Sequence, residues 1–441
     1  MKFLSEETIE LVKRVSVYEV AENLGFHLKQ VGTYWNIECP NPDHCEKEPQ
    51  TYISMSTGYF KCYSGGGCGA DGFAIQFFSW HQFGRYSPKE DFIRSVEGIA
   101  RLMGIPVKYS DGSISQDNTR PTYIPKEQPK IVEIPAASPD ICDQTYRRFL
   151  DLCPVFDEHL EEWLGPKRQY TKEQVEVIGL RSLPKTVDQA KKIVDTLISE
   201  GYQIERVPGF TQYLRKDGKL DNDQDWYWLI VGMGKYYIPI RDDMGRIIRL
   251  RIRTNFEDKK KYIWFSSAPM NNGKIIRRGG AGAGAHVNVI VPSKLMALWE
   301  PGTEITNILN VKKVLIIEGE HKGYIVSELL NMLVISIPGV GNFRDVIPLL
   351  KKWGVQEVAI AYDVDAFYDE KKKTGKNENV YKQLVRFGKA LISEENIHSE
   401  LWVWNPKDGK GLDDLILGQK LPIITNLRTN ERSNLVLQSS K

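Results

Sequence analysis

The sequence predicts a multidomain α/β protein, and three observations support this fold class. After Val311, short apolar runs alternate with amphipathic segments, as in a mainly parallel sheet with helices on its faces. Over residues 141–310, helical patterns give way to strands rich in arginine, which indicates a mixed α+β domain. Four cysteines lie between Cys39 and Cys68, and this clustering indicates a small N-terminal metal-binding domain.

Changes in composition predict the domain boundaries. Residues 1–107 are rich in aromatic side chains and contain the cysteine cluster. Residues 108–140 are dense in Ser, Pro, Asp and Gln without a sustained period, which is typical of a linker. We expect a basic α+β subdomain over 141–310, an α/β domain over 311–420 and a short polar tail over 421–441.

Overall composition excludes some classes of protein. The 441 residues are 41% hydrophobic and 26% charged, which is typical of a soluble globular protein. Net charge is only +2, so nucleic-acid binding would need a local basic patch. The first residues predict an amphipathic helix capped by Ser5 rather than a signal peptide, and no apolar stretch is long enough to span a membrane. Clustered cysteines favour a metal site in a reducing, cytoplasmic compartment.

The cysteine cluster has the spacing of a zinc site. Cys39 and His44 form one pair, Cys62 and Cys68 form the other, and a predicted β-hairpin separates them. Zinc prefers four sulfur or imidazole ligands in a tetrahedron, and four protein ligands leave no position for a substrate, so one structural Zn²⁺ is expected. Two alternatives stay open: Cys45 could replace His44 as a ligand, or the thiols could be buried and free of metal.

This segment resembles the CHC2-type zinc domain of bacterial DnaG-type DNA primases. The resemblance rests on "CP…H-x-E-K-x-P" followed by "C…CG-x-x-G-x-A-I-x-F". This chain departs from the family by two added residues between Cys39 and His44 and by "SGG" between Cys62 and Cys68. The resemblance implies that the domain contacts single-stranded DNA.

Acidic residues follow three predicted strands of the C-terminal domain. Glu318 ends "VLIIE", Asp363 and Asp365 follow "EVAIAY", and Asp413 comes after the strand in "SELWVWN". Because the carboxyl ends of parallel strands share one edge, these side chains should meet there. Each acid alone would be a solvated loop residue, but together they repel unless divalent cations neutralise them. Oxygen-preferring Mg²⁺ or Mn²⁺ fits this role, and we expect two such catalytic ions.

The order of these motifs resembles the Toprim domain of DnaG-type primases, in a divergent branch found in phages and mobile elements. The chain departs from the cellular pattern at Lys322 and Gly411, where the family carries acids. Lys322 could bind a triphosphate or be an ordinary surface lysine. The resemblance implies catalytic roles for Glu318, Asp363 and Asp365, and it assigns the divalent metal to Glu318, Asp363, Asp365 and Asp413.

A basic patch precedes the Toprim-like domain. Arg249, Arg251 and Arg253 alternate with apolar residues, so they should lie on one strand face, with Arg246 and Lys261 nearby. Such a face is either a solvated surface or a track for phosphates. The segment "IPI-x-D-x-x-G-R-I-I-x-L" resembles the basic subdomain of the primase core. That resemblance implies a groove for template and incoming nucleotide, lined by these five residues and Lys322.

Taken together, the resemblance implies a primase-type nucleotidyltransferase that makes short RNA primers. Its partners would be a single-stranded DNA template, NTPs and a replicative helicase in trans. Two other functions remain open: a catalytically weakened nucleic-acid-binding or regulatory module, suggested by Lys322 and Gly411, and a Toprim nuclease.

Overall fold

The chain divides into two compact units, residues 1–133 and 134–441. Cys45, most of the predicted linker and the end of the tail lie outside the residues that the structure describes. The computed structural model describes residues 4–44, 49–63, 68–88, 90–115, 134–256, 261–271, 276–368 and 375–435.

The first unit combines four helices with an antiparallel sheet. Ser5 caps the first helix by accepting a hydrogen bond from the Thr8 amide, and Ser16 and Glu19 form a capping box on the second. The elements are α1 (Glu6–Arg14), α2 (Val17–Asn23), β1 (Lys29–Val31), β2 (Tyr34–Ile37), β3 (Thr51–Ser54), β4 (Phe60–Cys62), β5 (Asp71–Gly72), α3 (Ala74–Phe83), α4 (Phe92–Met103), β6 (Val107–Lys108) and β7 (Ile114–Ser115).

Strands β1 to β5 pair in sequence order as one antiparallel sheet. Alternation along these strands sends Ile37, Ile53 and Phe60 into the core, where they pack with apolar residues of the four helices. Phe60 and Phe77 meet edge to face with ring centroids 5.0 Å apart. The opposite face of the sheet remains outside this core.

The second unit begins with helices and strands that build two small sheets. Their orders are β10-β9-β15-β14 and β13-β12-β11-β8. The elements are α5 (Pro139–Leu152), α6 (Asp157–Leu164), α7 (Lys172–Ile178), β8 (Arg181–Ser182), α8 (Val187–Ser199), β9 (Phe210–Leu214), β10 (Trp226–Ile230), β11 (Tyr236–Arg241), β12 (Ile247–Arg253), β13 (Tyr262–Trp264), β14 (Met270–Asn271) and β15 (Ile276–Arg278).

Strands β11 and β12 lie between two hydrophobic cores. Tyr237, Leu250 and Ile252 belong to a core formed with α5 and α8, whereas Tyr236 and Ile238 belong to the core of the C-terminal sheet. Because direct partners in an antiparallel pair share a face, the arginines opposite Tyr236 and Ile238 point toward the C-terminal sheet. This arrangement places basic side chains next to that sheet.

The rest of the second unit is a seven-stranded sheet with helices, in the order β16-β18-β17-β19-β20-β21-β22 over the described residues. Its elements are β16 (Asn288–Ile290), α9 (Ser293–Leu298), α10 (Ile305–Ile308), β17 (Lys313–Glu318), α11 (Glu320–Leu330), β18 (Val334–Ile337), α12 (Val346–Trp353), β19 (Glu357–Ala361), α13 (Glu378–Lys389), β20 (His398–Val403), α14 (Leu412–Leu417), β21 (Ile423–Asn426) and β22 (Arg432–Asn434).

The four central strands of this sheet run parallel. β17 pairs with β18 on one side and with β19 on the other, and β19 pairs with β20. β16 on one side, and β21 followed by β22 on the other, add antiparallel strands. The carboxyl ends of β17, β19 and β20 therefore lie along one edge, and α11 and α14 begin there.

The structure confirms a small N-terminal domain with a Cys/His cluster and a mixed α/β architecture in the second unit. The domain boundaries and the Toprim assignment stay predictions. Among the described helices, none is both long enough and apolar enough to cross a lipid bilayer.

Candidate functional site

The structure brings the four predicted zinc ligands together in the first unit. Within the described ranges, Cys39, His44, Cys62 and Cys68 are the one group of at least three Cys, His, Asp or Glu whose ligand atoms all lie within 4.8 Å of one another. The Cys39 and Cys68 sulfurs are 3.4 Å apart, and the Cys62 sulfur lies 3.6 Å from Nδ1 of His44. Tetrahedral Zn–S bonds of about 2.3 Å place sulfurs about 3.8 Å apart, so the residues fit Zn²⁺.

Electrostatics supports a cation at this cluster. Hydrogen bonds from Cys39 and then Cys62 lower the pKa of the Cys68 thiol to about 3. Hydrogen bonding of the Cys39 thiol to Cys62 and then to Cys68, followed by burial, raises the pKa of Cys39. A zinc ion would stabilise all three thiolates at once.

The outer face of the zinc-domain sheet is aromatic, which the sequence analysis missed. Tyr34, Tyr52 and Tyr63 follow one another on this face with ring centroids 6.3 and 6.0 Å apart. Tyr34 is 45% exposed and Tyr63 is 59% exposed. The Lys61 ammonium lies 5.4 Å from the Tyr63 ring centroid. The alternation in "TYIS" and "FKCY" was the available signal, and exposed rings beside a cation can stack on unpaired bases.

In the second unit, the predicted acids lie along the carboxyl edge of the parallel strands. Glu318 is the last residue of β17, and Asp363 and Asp365 follow β19. Asp413 lies in the first turn of α14, the helix that follows β20. The electrostatic coupling of Glu318 with Asp363 and Asp365, and of Asp413 with Asp363, indicates one shared site.

Two lysines lie among these acids. The Lys322 ammonium, from the first turn of α11, donates a short hydrogen bond to Asp363 Oδ1. The Lys410 ammonium lies 3.5 Å from Asp363 Oδ2 and 3.4 Å from Asp365 Oδ2. Burial opposes the charge on Lys410, but the charges of the two aspartates raise its pKa. Lys410 was missed as a site residue although it stands within the motif "GKGLDD".

Glu318 and Asp413 have the most perturbed carboxyl groups of the site. Burial, followed by the charge of Asp363, raises the pKa of Glu318 from its ordinary value of 4.5 to about 7. Burial also raises the pKa of Asp413, against the attraction of Lys322. Among the described residues, Oδ1 of Asp413 is buried without a hydrogen-bond partner. Both carboxylates would gain from a cation, because their charge is poorly compensated.

The chemistry of this donor set fits a hard divalent ion such as Mg²⁺ or Mn²⁺, because carboxylates supply the oxygen ligands that these ions prefer. The spacing is looser than in the zinc cluster, since no three of these carboxylates have ligand atoms within 4.8 Å of one another in the described residues. The cationic groups nearest Asp363 are the ammonium groups of Lys322 and Lys410.

The basic strand β12 faces this site but is not an open surface. The Arg251 guanidinium donates a 2.8 Å hydrogen bond to Glu320 Oε1, and both side chains are almost completely buried. It also lies 5.0 Å from the ring centroid of Trp264. The Arg253 guanidinium lies 5.3 Å from the Tyr262 ring centroid and binds the carbonyl oxygens of Phe256 and Lys261.

The remaining predicted cations, Arg246, Arg249 and Lys261, differ in their surroundings, and their role in binding phosphates stays a prediction. Arg246 forms ion pairs with Asp242 and Asp140, so its charge is already compensated. Arg249 donates to the Ala283 carbonyl at 2.6 Å. Lys261 is exposed beside β13.

Arg168, which the sequence analysis did not single out, also reaches this region. It follows α6, and its charge acts on Asp413 and on the buried, neutral His321. Burial, followed by the charges of Arg168 and Arg253, holds the pKa of His321 far below its usual range. In the described part of the chain, Nε of Arg168 and Nε of Arg251 are buried without hydrogen-bond partners. In the described residues, the region therefore contains arginine N–H groups without an acceptor as well as the Asp413 oxygen without a donor.

Two family models match the chain. The CHC2 zinc finger of the DnaG zinc ribbon matches residues 4–115. A domain of unknown function, DUF3854, matches residues 307–421, the segment for which the sequence predicts a Toprim domain.

Known proteins with similarity to the chain are DNA primases. The DNA primase of Pseudomonas putida KT2440 is 28% identical over 268 residues, which is 59% of this chain and 35% of that primase. The match thus spans about a third of the length of these curated relatives. The resemblance to DnaG-type primases is confirmed by this relative and by the CHC2 match.

The solved structures to which the chain shows similarity include two primases. The zinc-binding and RNA polymerase domains of Aquifex aeolicus primase are 19% identical, with 94% of this chain and 82% of that chain covered and a TM-score of 0.41. The RNA polymerase domain of Mycobacterium tuberculosis DnaG is 12% identical, with 64% and 80% covered and a TM-score of 0.41.

Replacing a zinc ligand tests the first cluster. We expect the wild-type protein to contain about one zinc ion per chain and Cys62→Ser to contain much less, because a thiolate ligand is lost. Elemental analysis after gel filtration measures the content. Cys153→Ala, at a buried cysteine outside the cluster, should keep the zinc. A Cys62→Ser protein with full zinc content would contradict the assignment.

The raised pKa of Glu318 predicts a pH-dependent gain in stability on neutralisation. A carboxyl whose folded-state pKa lies above its unfolded value stabilises the fold at low pH, and that contribution is lost as the pH rises through about 7. Glu318→Gln should therefore be more stable than wild type at pH 8, by at most about 3 kcal/mol, with little difference at pH 5. Denaturant unfolding without divalent ions measures this.

The exposed Glu300 provides the matched control, because Glu300→Gln should change stability equally at both pH values. An equal effect of Glu318→Gln at pH 5 and pH 8 would show that the carboxyl is not perturbed in the folded protein.

Proposed function

We propose that this protein is a DNA primase-like nucleotidyltransferase that makes short RNA primers on single-stranded DNA from NTPs. The observation that carries the proposal is the edge of the parallel sheet, where acids from three chain segments meet beside basic side chains of β12. The match to the CHC2 zinc finger and the similarity to a DNA primase favour primase activity over the other activities that such a row of carboxylates could have.

The acids would bind and position the reacting groups. Glu318 and Asp365, with Asp363 and Asp413 beside them, offer carboxylate oxygens at the end of the sheet. A divalent ion held there would neutralise phosphate charge and lower the pKa of the attacking hydroxyl. Glu318 would either hold the ion or accept a proton as the primer 3′-hydroxyl reacts.

The cations would hold the triphosphate and the template. Lys322 and Lys410 lie directly beside the carboxylates, so their ammonium groups would bind the phosphates of an incoming NTP. Arg168, Arg251 and Arg253 lie on the side of β12 and His321, and among the described residues Nε of Arg168 and Nε of Arg251 are buried without hydrogen-bond partners. Arg246, Arg249 and Lys261 remain proposed contacts for the nucleic acid or the nucleotide. A Toprim fold, the choice of NTPs and a helicase partner belong to this proposal.

Template binding by the zinc domain would use its aromatic face. Tyr34, Tyr52 and Tyr63 offer successive rings, and Lys61 offers charge for the phosphate backbone. Such a face binds unpaired bases with little sequence preference.

A priming assay tests the proposed activity. The full-length protein with single-stranded DNA templates, labelled NTPs and Mn²⁺ should yield short RNA. Asp365→Asn should reduce the yield by about 100-fold or more, because an essential charge at the reacting phosphate is lost. Asp195→Asn, at an exposed aspartate of α8, should keep full activity.

Other outcomes of this assay identify the alternatives. DNA binding without RNA product across varied templates would support the non-catalytic module, which the Lys322–Asp363 pair favours. Scission of the DNA strand would support a nuclease.

The aromatic face gives a separate prediction on template binding. Tyr63→Ala should weaken binding of a labelled single-stranded oligonucleotide by about tenfold, because the loss of one stacked base costs about 1–3 kcal/mol. Tyr63→Phe keeps the ring and should bind within about twofold of wild type. Fluorescence anisotropy at fixed salt measures both variants, and equal affinities for Ala and Phe would exclude stacking on Tyr63.

A further inference from the structure

Lys322 and Gly411, which both depart from the primase pattern, fit together in space. A Cβ atom at Gly411 would meet Oδ1 of Asp413 first, and it would also lie 3.1 Å from Cε and 3.2 Å from Cδ of Lys322. Asp413 and the stem of the lysine therefore border the position that a side chain at residue 411 would need. A carboxylate at 411 would require Asp413 to move and Lys322 to shift slightly.

Lys322 is also fixed more firmly than Lys410. It extends from the first turn of α11, its side chain is 24% exposed, and its ammonium is bound to Asp363. The Lys410 side chain is 65% exposed and spans Asp363 and Asp365 at longer distances. Lys410 can therefore swing into solvent when another cation arrives, whereas Lys322 is part of the packed edge.

The acids of the site other than Asp363 are available to bind one further cation. In the described residues, neither Glu318 nor Asp413 forms an ion pair within 4.0 Å, and Oδ1 of Asp413 accepts no hydrogen bond. Asp365 contacts only the exposed Lys410 among the described cations. Asp363, in contrast, is already paired with Lys322. With Asp363 held by Lys322, the carboxylates left without a fixed cationic partner in the described residues are those of Glu318, Asp365 and Asp413, and one or two carboxylates suffice to hold one hydrated Mg²⁺ ion.

We propose that Lys322 is a resident cation that takes the place of one divalent ion, so that the site binds a single Mg²⁺ or Mn²⁺ through Glu318 and Asp365. This inference rests on the proposed function only in treating the edge as a divalent-ion site. A single divalent ion replaces the two catalytic divalent ions expected from the sequence. The Lys322 ammonium supplies a permanent positive charge where a second ion would contact the triphosphate.

Equilibrium Mn²⁺ binding to the zinc-loaded, full-length protein tests the proposal. Electron paramagnetic resonance of free Mn²⁺ should give one bound ion per wild-type chain. Lys322→Met keeps the stem over Gly411 but removes the charge, so Mn²⁺ affinity should rise by about tenfold or more because a nearby like charge is lost. Lys322→Glu replaces the cation with a carboxylate and should bind a second ion.

Lys382→Glu is the control for a change of charge alone, since Lys382 is exposed on α13. It should bind one ion with wild-type affinity. Two bound ions in the wild type, no binding at millimolar Mn²⁺, or an unchanged affinity in Lys322→Met would overturn the proposal.

The result is separable from the priming assay. One Mn²⁺ ion that responds to Lys322, without RNA synthesis, would leave this inference standing and remove the proposed activity. RNA synthesis by a protein that binds two ions would do the reverse.

Discussion

The ion pair between Lys322 and Asp363 is the interaction on which the rest of the site depends. It joins the first turn of α11 to the end of β19, and it compensates the acid that lies between Glu318 and Asp413 in the electrostatic network. Without a fixed cation there, four carboxylates converging on one sheet edge would repel each other strongly. The lysine therefore makes the crowded edge compatible with a folded protein, and it also sets how much charge is left to attract a metal.

Chain order alone was enough to predict that the acids would meet. Alternating strands and helices imply a parallel sheet, and residues that follow such strands must share its edge, which is where Glu318, Asp363 and Asp365 lie. The same argument could not give the partners of those acids. Whether Lys322 reaches Asp363, or passes over Gly411, depends on the helix orientation and on distances between segments far apart in sequence. The sequence analysis therefore left Lys322 open between two roles.

The sequence predicted the shared strand face of the arginines but not the burial of that face, for a similar reason. Alternation along β12 correctly indicated that arginines share a face, because side chains in a strand alternate by geometry. That face is buried because the core of the C-terminal sheet lies against it, and the pattern of a single strand does not encode this packing. The partner of Arg251, Glu320, likewise lies in a different element. The zinc ligands were easier to predict, because their spacing around a hairpin is local. The aromatic face of that hairpin was visible in the same alternation but was not used.

The most direct test of the central claim is a crystal structure of the protein soaked in Mn²⁺, with anomalous scattering recorded at the manganese edge. We expect one manganese peak beside Glu318 and Asp365, with the Lys322 ammonium still on Asp363 and Lys410 displaced. Two manganese peaks flanking Asp363, with Lys322 turned away, would contradict it.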